Sequence, residues 1–275
     1  MIVEKVIDVS RGDKKLSSYL ENKEIKNVLL AFFHGVGDLV MFRVVYEKLK
    51  ATYPYIHFDL GLCDGLDQEK ICMDAVLLAP DWREKADTLG YDLVMSCNFP
   101  MNEMQTELTK GEWCCEHELG IEKVKGHLGM GDYPNRLIGL HYNITCLPSA
   151  CNPDEGTAEQ IWNEVLQEGF IPLETHFQHI FHNPVNKKFD FVDASVRRVI
   201  PRIPTLVGLI QRLGGFIGVV SGNLHVALAT LPPQRIFFLE KDFKFESFST
   251  LPVARASIKK GEYEKGKVAE WLKTL

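Results

Sequence analysis

Val28-Leu29-Leu30-Ala31-Phe32-Phe33-His34-Gly35-Val36-Gly37-Asp38-Leu39-Val40 joins an unbroken apolar run to a glycine turn and then to a new apolar pattern. A short apolar run bounded by glycines reads as a strand buried on both faces, as in a parallel sheet. Beyond the turn, Leu39, Val40, Phe42, Val44, Val45 and Leu49 recur at near-helical spacing. Arg43, Glu47, Lys48 and Lys50 lie between them, and Pro54 stops the pattern. This is a helix with one apolar face. Strand, glycine turn and helix together form the opening unit of a doubly wound α/β sheet.

Outward from this unit the alternation continues. Tyr55-Ile56-His57-Phe58-Asp59-Leu60, Ala75-Val76-Leu77-Leu78 and Tyr91-Asp92-Leu93-Val94-Met95-Ser96 supply further strands. The pattern then restarts at Arg136-Leu137-Ile138-Gly139-Leu140-His141, followed by a helix over 157–168 whose start is marked by Asp154, Glu155 and Thr157. Strands are expected at 170–173, 189–192, 216–220 and 235–239, and helices at 204–213, 224–231 and 264–275. Such alternation implies right-handed crossovers. The expected architecture is α/β: two Rossmann-like doubly wound domains, residues 1–130 and 131–275, facing a cleft.

Composition agrees with a globular chain of this kind. Of 275 residues, 45% are hydrophobic and 25% charged, which permits a real core. The 31 basic and 37 acidic residues give a formal net charge of −6, the wrong sign for a nucleic-acid surface. Seven cysteines, an odd number without a Cys-x-x-Cys pair, fit reduced thiols in a cytoplasmic protein rather than a disulfide or zinc framework. The first twenty-seven residues are polar and charged and carry no signal peptide. Leu213 to Gln234 holds no Asp, Glu, Lys or Arg, but its glycines, Asn223, His225, Pro232 and Pro233 speak for a buried helix–strand–helix segment and against a membrane span.

Two turns carry chemical potential. In the first, Gly35 and Gly37 permit close backbone approach to a ligand, and Asp38 falls in the first turn of the helix, as a cap or as a carboxylate facing the crevice. In the second, Val219-Val220-Ser221-Gly222-Asn223-Leu224-His225-Val226-Ala227, a strand again ends in small polar residues at a helix start. Ser221, Gly222 and Asn223 present N–H groups and short side chains suited to an anion such as a diphosphate, and His225 lies in the same first turn.

In this order the motifs resemble the heptosyltransferases of lipopolysaccharide core synthesis, within glycosyltransferase family 9. Gly37-Asp38-Leu39-Val40 is similar to that family's opening Gly-Asp turn. Ser221-Gly222-Asn223-Leu224-His225-Val226-Ala227-Leu228-Ala229 is similar to its Ser/Thr-Gly-x-x-His-Leu-x-x-Ala turn. Gly139-Leu140-His141-Tyr142-Asn143-Ile144-Thr145 looks like the first strand of the family's second domain, and Gln160-Ile161-Trp162-Asn163-Glu164-Val165 like the helix after it. The resemblance implies a GT-B fold and an inverting, metal-independent transferase without a cofactor. Asp38 is implied as catalytic base; Asn143, Thr145, Ser221, Gly222, Asn223 and His225 are implied on the nucleotide-sugar donor. A saccharide or glycolipid acceptor falls to the first domain, with peripheral contact at the cytoplasmic membrane face, and nucleic acid is no partner. Where the family has an acidic residue before Ser/Thr-Gly this chain has Val220, and residues 143–153 offer no Lys or Arg to donor phosphates.

Two other readings stand beside this one. A non-catalytic descendant of the fold would bind a nucleotide, a sugar or a protein. A nicotinamide-dependent oxidoreductase would use Gly35-x-Gly37, with Asp59 at the end of the second strand as ribose carboxylate. His176, His179 and His182 read as solvated histidines in a loop, without nearby carboxylate support for a metal.

Overall fold

The computed structural model describes residues 6–8, 17–32, 36–62, 75–97, 136–142, 152–177, 191–192, 197–200, 203–241, 253–258 and 263–275. The chain divides into two compact units, Met1–Leu119 and Gly120–Leu275. Residues 120–130, by which this division differs from the sequence-based one, lie outside the described residues.

Unit 1 runs β1 (Val6–Asp8), α1 (Ser17–Leu20), β2 (Asn27–Phe32), α2 (Val36–Thr52), β3 (His57–Leu62), β4 (Ala75–Leu77), a 3-10 turn (Ala86–Thr88) and β5 (Leu93–Cys97). The strands form one sheet in the order β1-β5-β2-β3-β4, every pair parallel. Strand β2 lies between β5 and β3, and Val28 to Phe32 are fully buried, as its unbroken apolar run requires. Asp92 fixes the entry to β2: its Oδ2 accepts from the N–H groups of Lys26 and Asn27, 2.8 Å each. Leu29, Ala31 and Val94 pack on Trp82 and Ala86. Strand β1 was not expected, because three residues at a sheet edge give no periodic signal within a polar leader.

Unit 2 runs β6 (Leu137–His141), α3 (Glu155–Gln167), β7 (Ile171–Phe177), β8 (Arg197–Ile200), α4 (Ile203–Ile210), β9 (Gly215–Gly218), α5 (Gly222–Thr230), a 3-10 turn (Pro233–Arg235), β10 (Ile236–Glu240), β11 (Ala254–Ser257) and α6 (Lys267–Leu272). Its sheet has the order β11-β10-β9-β6-β7-β8, again all parallel. Read from β8, this is third, second, first, fourth, fifth, sixth, the order of a dinucleotide-binding Rossmann sheet. Ile138, Leu140, Ile217, Phe237 and Leu239 meet Ala158, Ile161, Trp162 and Val165 of α3 and Val268, Trp271 and Leu272 of α6 in one core. Helix α3 starts where Asp154 Oδ1 accepts from Thr157 N–H at 2.8 Å.

The charge-free segment from Leu213 to Gln234 is divided between a strand, a capped helix of nine residues and a 3-10 turn. Among the described residues no helix is long and apolar enough to cross a membrane. One expected strand is corrected: Phe191 and Val192 form a turn, and the strand lies later, at Arg197–Ile200. Their hydrophobicity serves packing instead. Val192 belongs to the core, and the Phe191 ring meets Trp162 edge-on at 5.9 Å. The C-terminal helix is also shorter than the amphipathic pattern, covering Lys267–Leu272.

Candidate functional site

In a doubly wound sheet, ligands bind beyond the carboxyl ends of the strands, where the strand order reverses. In unit 2 that point lies between β6 and β9, which run parallel with His141 opposite Gly218. The chain leaves β9 through Val219 and Val220 and reaches Ser221, which is extended at φ −159° and ψ 165° and caps α5. Ser221 Oγ accepts from Leu224 N–H at 3.2 Å, and His225 N–H bonds Ser221 O at 3.1 Å. The first N–H groups of a helix have no acceptor within it. The cap takes that of Leu224, so those of Gly222 and Asn223 stand at the positive end of the helix dipole, where an anion is favoured. Ser221 and Gly222 are half-buried, whereas Asn223 and His225 are buried.

Beneath this turn lies a polar network that the sequence did not reveal. The β6–β7 ladder ends at Leu140 opposite Glu174. At Thr175, His141 Nδ1 donates to the carbonyl oxygen at 2.6 Å. A carbonyl only accepts, so the contact sets the Nδ1–H form of the ring. Asn223 Nδ2, 3.1 Å from the same ring nitrogen, is itself a donor and finds its acceptors on Thr175: Oγ1 at 3.2 Å and the carbonyl at 3.4 Å. Thr175 Oγ1 in turn donates to Leu140 O at 3.2 Å. One buried threonine thus ties β6, β7 and the first turn of α5 together.

Glu174 and His176 flank it on the other face of β7, as strand alternation demands. His176 Nε2 lies 3.1 Å from Glu174 Oε1, and the two side chains are 3% and 0% exposed. The expectation of a solvated His176 without a carboxylate nearby is therefore corrected: the residue belongs to strand β7, where it and its neighbours Glu174 and Thr175 are all buried. Its ring also meets His141 edge-on at 5.7 Å. Burial, and then the charge of Glu174, push the neighbouring Tyr142 hydroxyl well above its ordinary pKa.

Of the other expected site residues, Gly37 is buried and Asp38 is the third residue of α2, inside its first turn. The side chain of Asp38, and all of Gly35, Asn143 and Thr145, lie outside the described residues, as do His179 and His182. The end of β2 is next to the end of β5, with Ala31 opposite Ser96, so the first glycine turn also follows a point where strand order reverses. Asp59 is corrected. It is the third residue of β3 rather than the last, and its carboxylate is engaged by Tyr91 Oη at 2.8 Å and His57 Nε2 at 3.2 Å. Burial, together with Asp59, raises Tyr91 to about 12. A carboxylate held there, short of the strand's carboxyl end, is out of place for a nicotinamide ribose. Among the described residues no group of three or more His, Cys, Asp or Glu gathers to hold a metal ion.

The fold defines an α/β protein with two Rossmann-like units, the second carrying a Ser221-capped helix start where its strand order reverses. No protein-family model matches the sequence, and no curated protein is similar to it. Solved structures are similar in fold. The ADP-heptose lipopolysaccharide heptosyltransferase II of E. coli superposes with a TM-score of 0.61 at 14% identity, over 90% of this chain and 98% of that one. A family 9 glycosyl transferase of Veillonella parvula gives 0.53 at 12% identity, over 90% and 95%. The dodecameric, iron-containing glycosyltransferase TibC of enterotoxigenic E. coli gives 0.53 at 14% identity, over 78% of this chain but only 59% of its own length. The resemblance to GT-B-type heptosyltransferases therefore holds as a likeness of fold.

Proposed function

We propose that the chain is a glycosyltransferase that moves a sugar, a heptose or a related one, from a nucleoside-diphosphate donor to a saccharide or lipopolysaccharide-type acceptor. One observation carries the reading above others. The switch point of unit 2 opens on a capped helix whose first turn, Ser221-Gly222-Asn223, sets main-chain N–H groups at the positive end of the helix dipole. That is the setting a departing diphosphate needs. The heptosyltransferases of similar fold support it, one of them structurally characterised with ADP-D-beta-D-heptose.

In this reading the diphosphate lies on the N–H groups of Gly222 and Asn223 with Ser221 and His225 beside it, while Asn143 and Thr145 are assigned to the donor by resemblance alone. Asp38 takes the proton of the acceptor hydroxyl as that oxygen attacks the anomeric carbon. The new carbon–oxygen bond forms as the bond to the diphosphate breaks, with inversion, and both electrons of the broken bond leave on the phosphate oxygen. Fixed N–H dipoles meet the charge that grows there, without a metal ion. The acceptor belongs to unit 1, and the reaction to the cytoplasm, at or near a membrane face that holds the acceptor.

The test is release of nucleoside diphosphate from a panel of activated sugars, ADP-heptose among them, with wild type and Asp38→Asn. Wild type is expected to turn over, and Asp38→Asn to lose about a hundredfold or more, the scale of a lost general base. Normal turnover by the variant contradicts the role of Asp38. A second reading, a nucleotide- or sugar-binding protein without transfer, is favoured by Val220 before the turn and the absence of Lys and Arg over 143–153. Wild type that binds nucleotide yet releases none from any donor would establish it.

A further inference from the structure

Asn223 lies within the turn motif, yet its side chain is fully buried and directed at strand β7, with Nδ2 on Thr175 Oγ1 and the Thr175 carbonyl. Thr175 is also fully buried, and its hydroxyl and carbonyl hold Leu140 and His141 at the end of β6. We infer that Thr175 and Asn223 are positioning residues: a buried lock that fixes the first turn of α5 against the sheet and so sets its N–H groups for a nucleoside diphosphate. The inference rests on the donor-site reading above and assigns a role to a threonine outside the turn.

Anion binding by main-chain N–H groups depends on their being held in convergence before the ligand arrives. Ser221 caps the helix from its own chain and says nothing of where the helix sits on the sheet. The lock does, because Thr175 belongs to β7 and touches both β6 and α5. A buried amide that loses its acceptor must find another or shift the turn that carries it.

The test compares Thr175→Val, Thr175→Ser, Asn223→Ala and the Thr175→Val/Asn223→Ala double variant in the full chain. Each is read by calorimetric titration with ADP and by amide hydrogen exchange over residues 221–225. Thr175→Val and Asn223→Ala are each expected to weaken ADP binding by roughly fivefold to tenfold, the scale of one buried hydrogen bond. The double variant should lose less than the two single losses combined, since the Asn223 Nδ2–Thr175 Oγ1 bond is already gone in each. Thr175→Ser, which keeps the hydroxyl, should restore binding to within about twofold of wild type. Exchange over 221–225 should quicken in Thr175→Val while the core strands stay protected. Should valine fail to fold, Thr175→Ala carries the same comparison.

A Thr175→Val protein with unchanged ADP affinity and unchanged exchange at the turn overturns the lock. So does weakening by Asn223→Ala alone, which would put Asn223 on the ligand directly. Lower thermal stability in both variants with ADP affinity intact would leave the pair merely structural and also overturn the inference. If wild type binds no ADP at millimolar concentration, the donor-site reading for that nucleotide fails. The exchange experiment then decides the lock alone, quickening supporting it and no change rejecting it.

Discussion

Glu164 is buried on α3 and serves three donors from a distant part of the chain: Tyr263 Oη at 3.0 Å, Gly266 N–H at 2.8 Å and Ala269 N–H at 3.0 Å. The last two lie at the start of α6, so the carboxylate closes a helix N-terminus with charge and hydrogen bonds together. Gly266, the cap of that helix, has φ +96°, a left-handed conformation that suits glycine. Burial, and then the charge and acceptance of Glu164, hold the Tyr263 hydroxyl in its neutral form. Glu164→Ala should cost about 2–4 kcal/mol in denaturant unfolding, because it strands buried donors; a loss below about 0.5 kcal/mol, the range of an ordinary surface change, would refute the arrangement. At this scale the sequence was least legible. Glu164 reads as one polar residue of a helix, and no local spacing joins position 164 to 263–269. Thr175 is hidden for the same reason: its partners come from β6 and α5, far away in sequence.

Elements were far more legible, and unevenly so for a physical reason. The central strands β2 and β6 are unbroken apolar runs, and the apolar spacing after Asp38 marked α2. The strands left unexpected, β1, β8 and β11, are all sheet edges of three or four residues. Edge strands are often rich in polar and charged residues, as the sequence is at Arg197, Arg198 and Arg255, and so lose the hydrophobic signature of a strand. Packing glycines escaped notice as well. A Cβ at Gly139, on β6, would lie 2.5 Å from Leu213 Cδ1 and 2.9 Å from Phe216 Cδ2. Gly139→Ala is therefore expected to destabilise the protein by about 1–3 kcal/mol through overpacking. Thermal or denaturant unfolding checks it, and an unchanged midpoint would show that the two side chains can move aside.

For the molecule as a whole, alternation of strand and helix was enough to foresee two doubly wound units. The restart of the pattern near residue 136 marked the second of them. What the pattern could not supply was the strand order, which arises from pairings between residues far apart, such as Gly139 with Phe216 and Leu140 with Ile217. That order matters most for the proposed function, because it brings the glycine turn after Val220 to the place where the sheet of unit 2 reverses. His141, quoted in the sequence only as part of a strand, acquires its meaning from the same pairing.

The most direct measurement is a structure of the protein with ADP bound. The phosphates are expected within hydrogen-bonding distance of the Gly222 and Asn223 N–H groups, with Ser221 and His225 beside them. ADP seated elsewhere, for instance on the Gly35–Asp38 turn of unit 1 with the α5 terminus bare, would contradict the account.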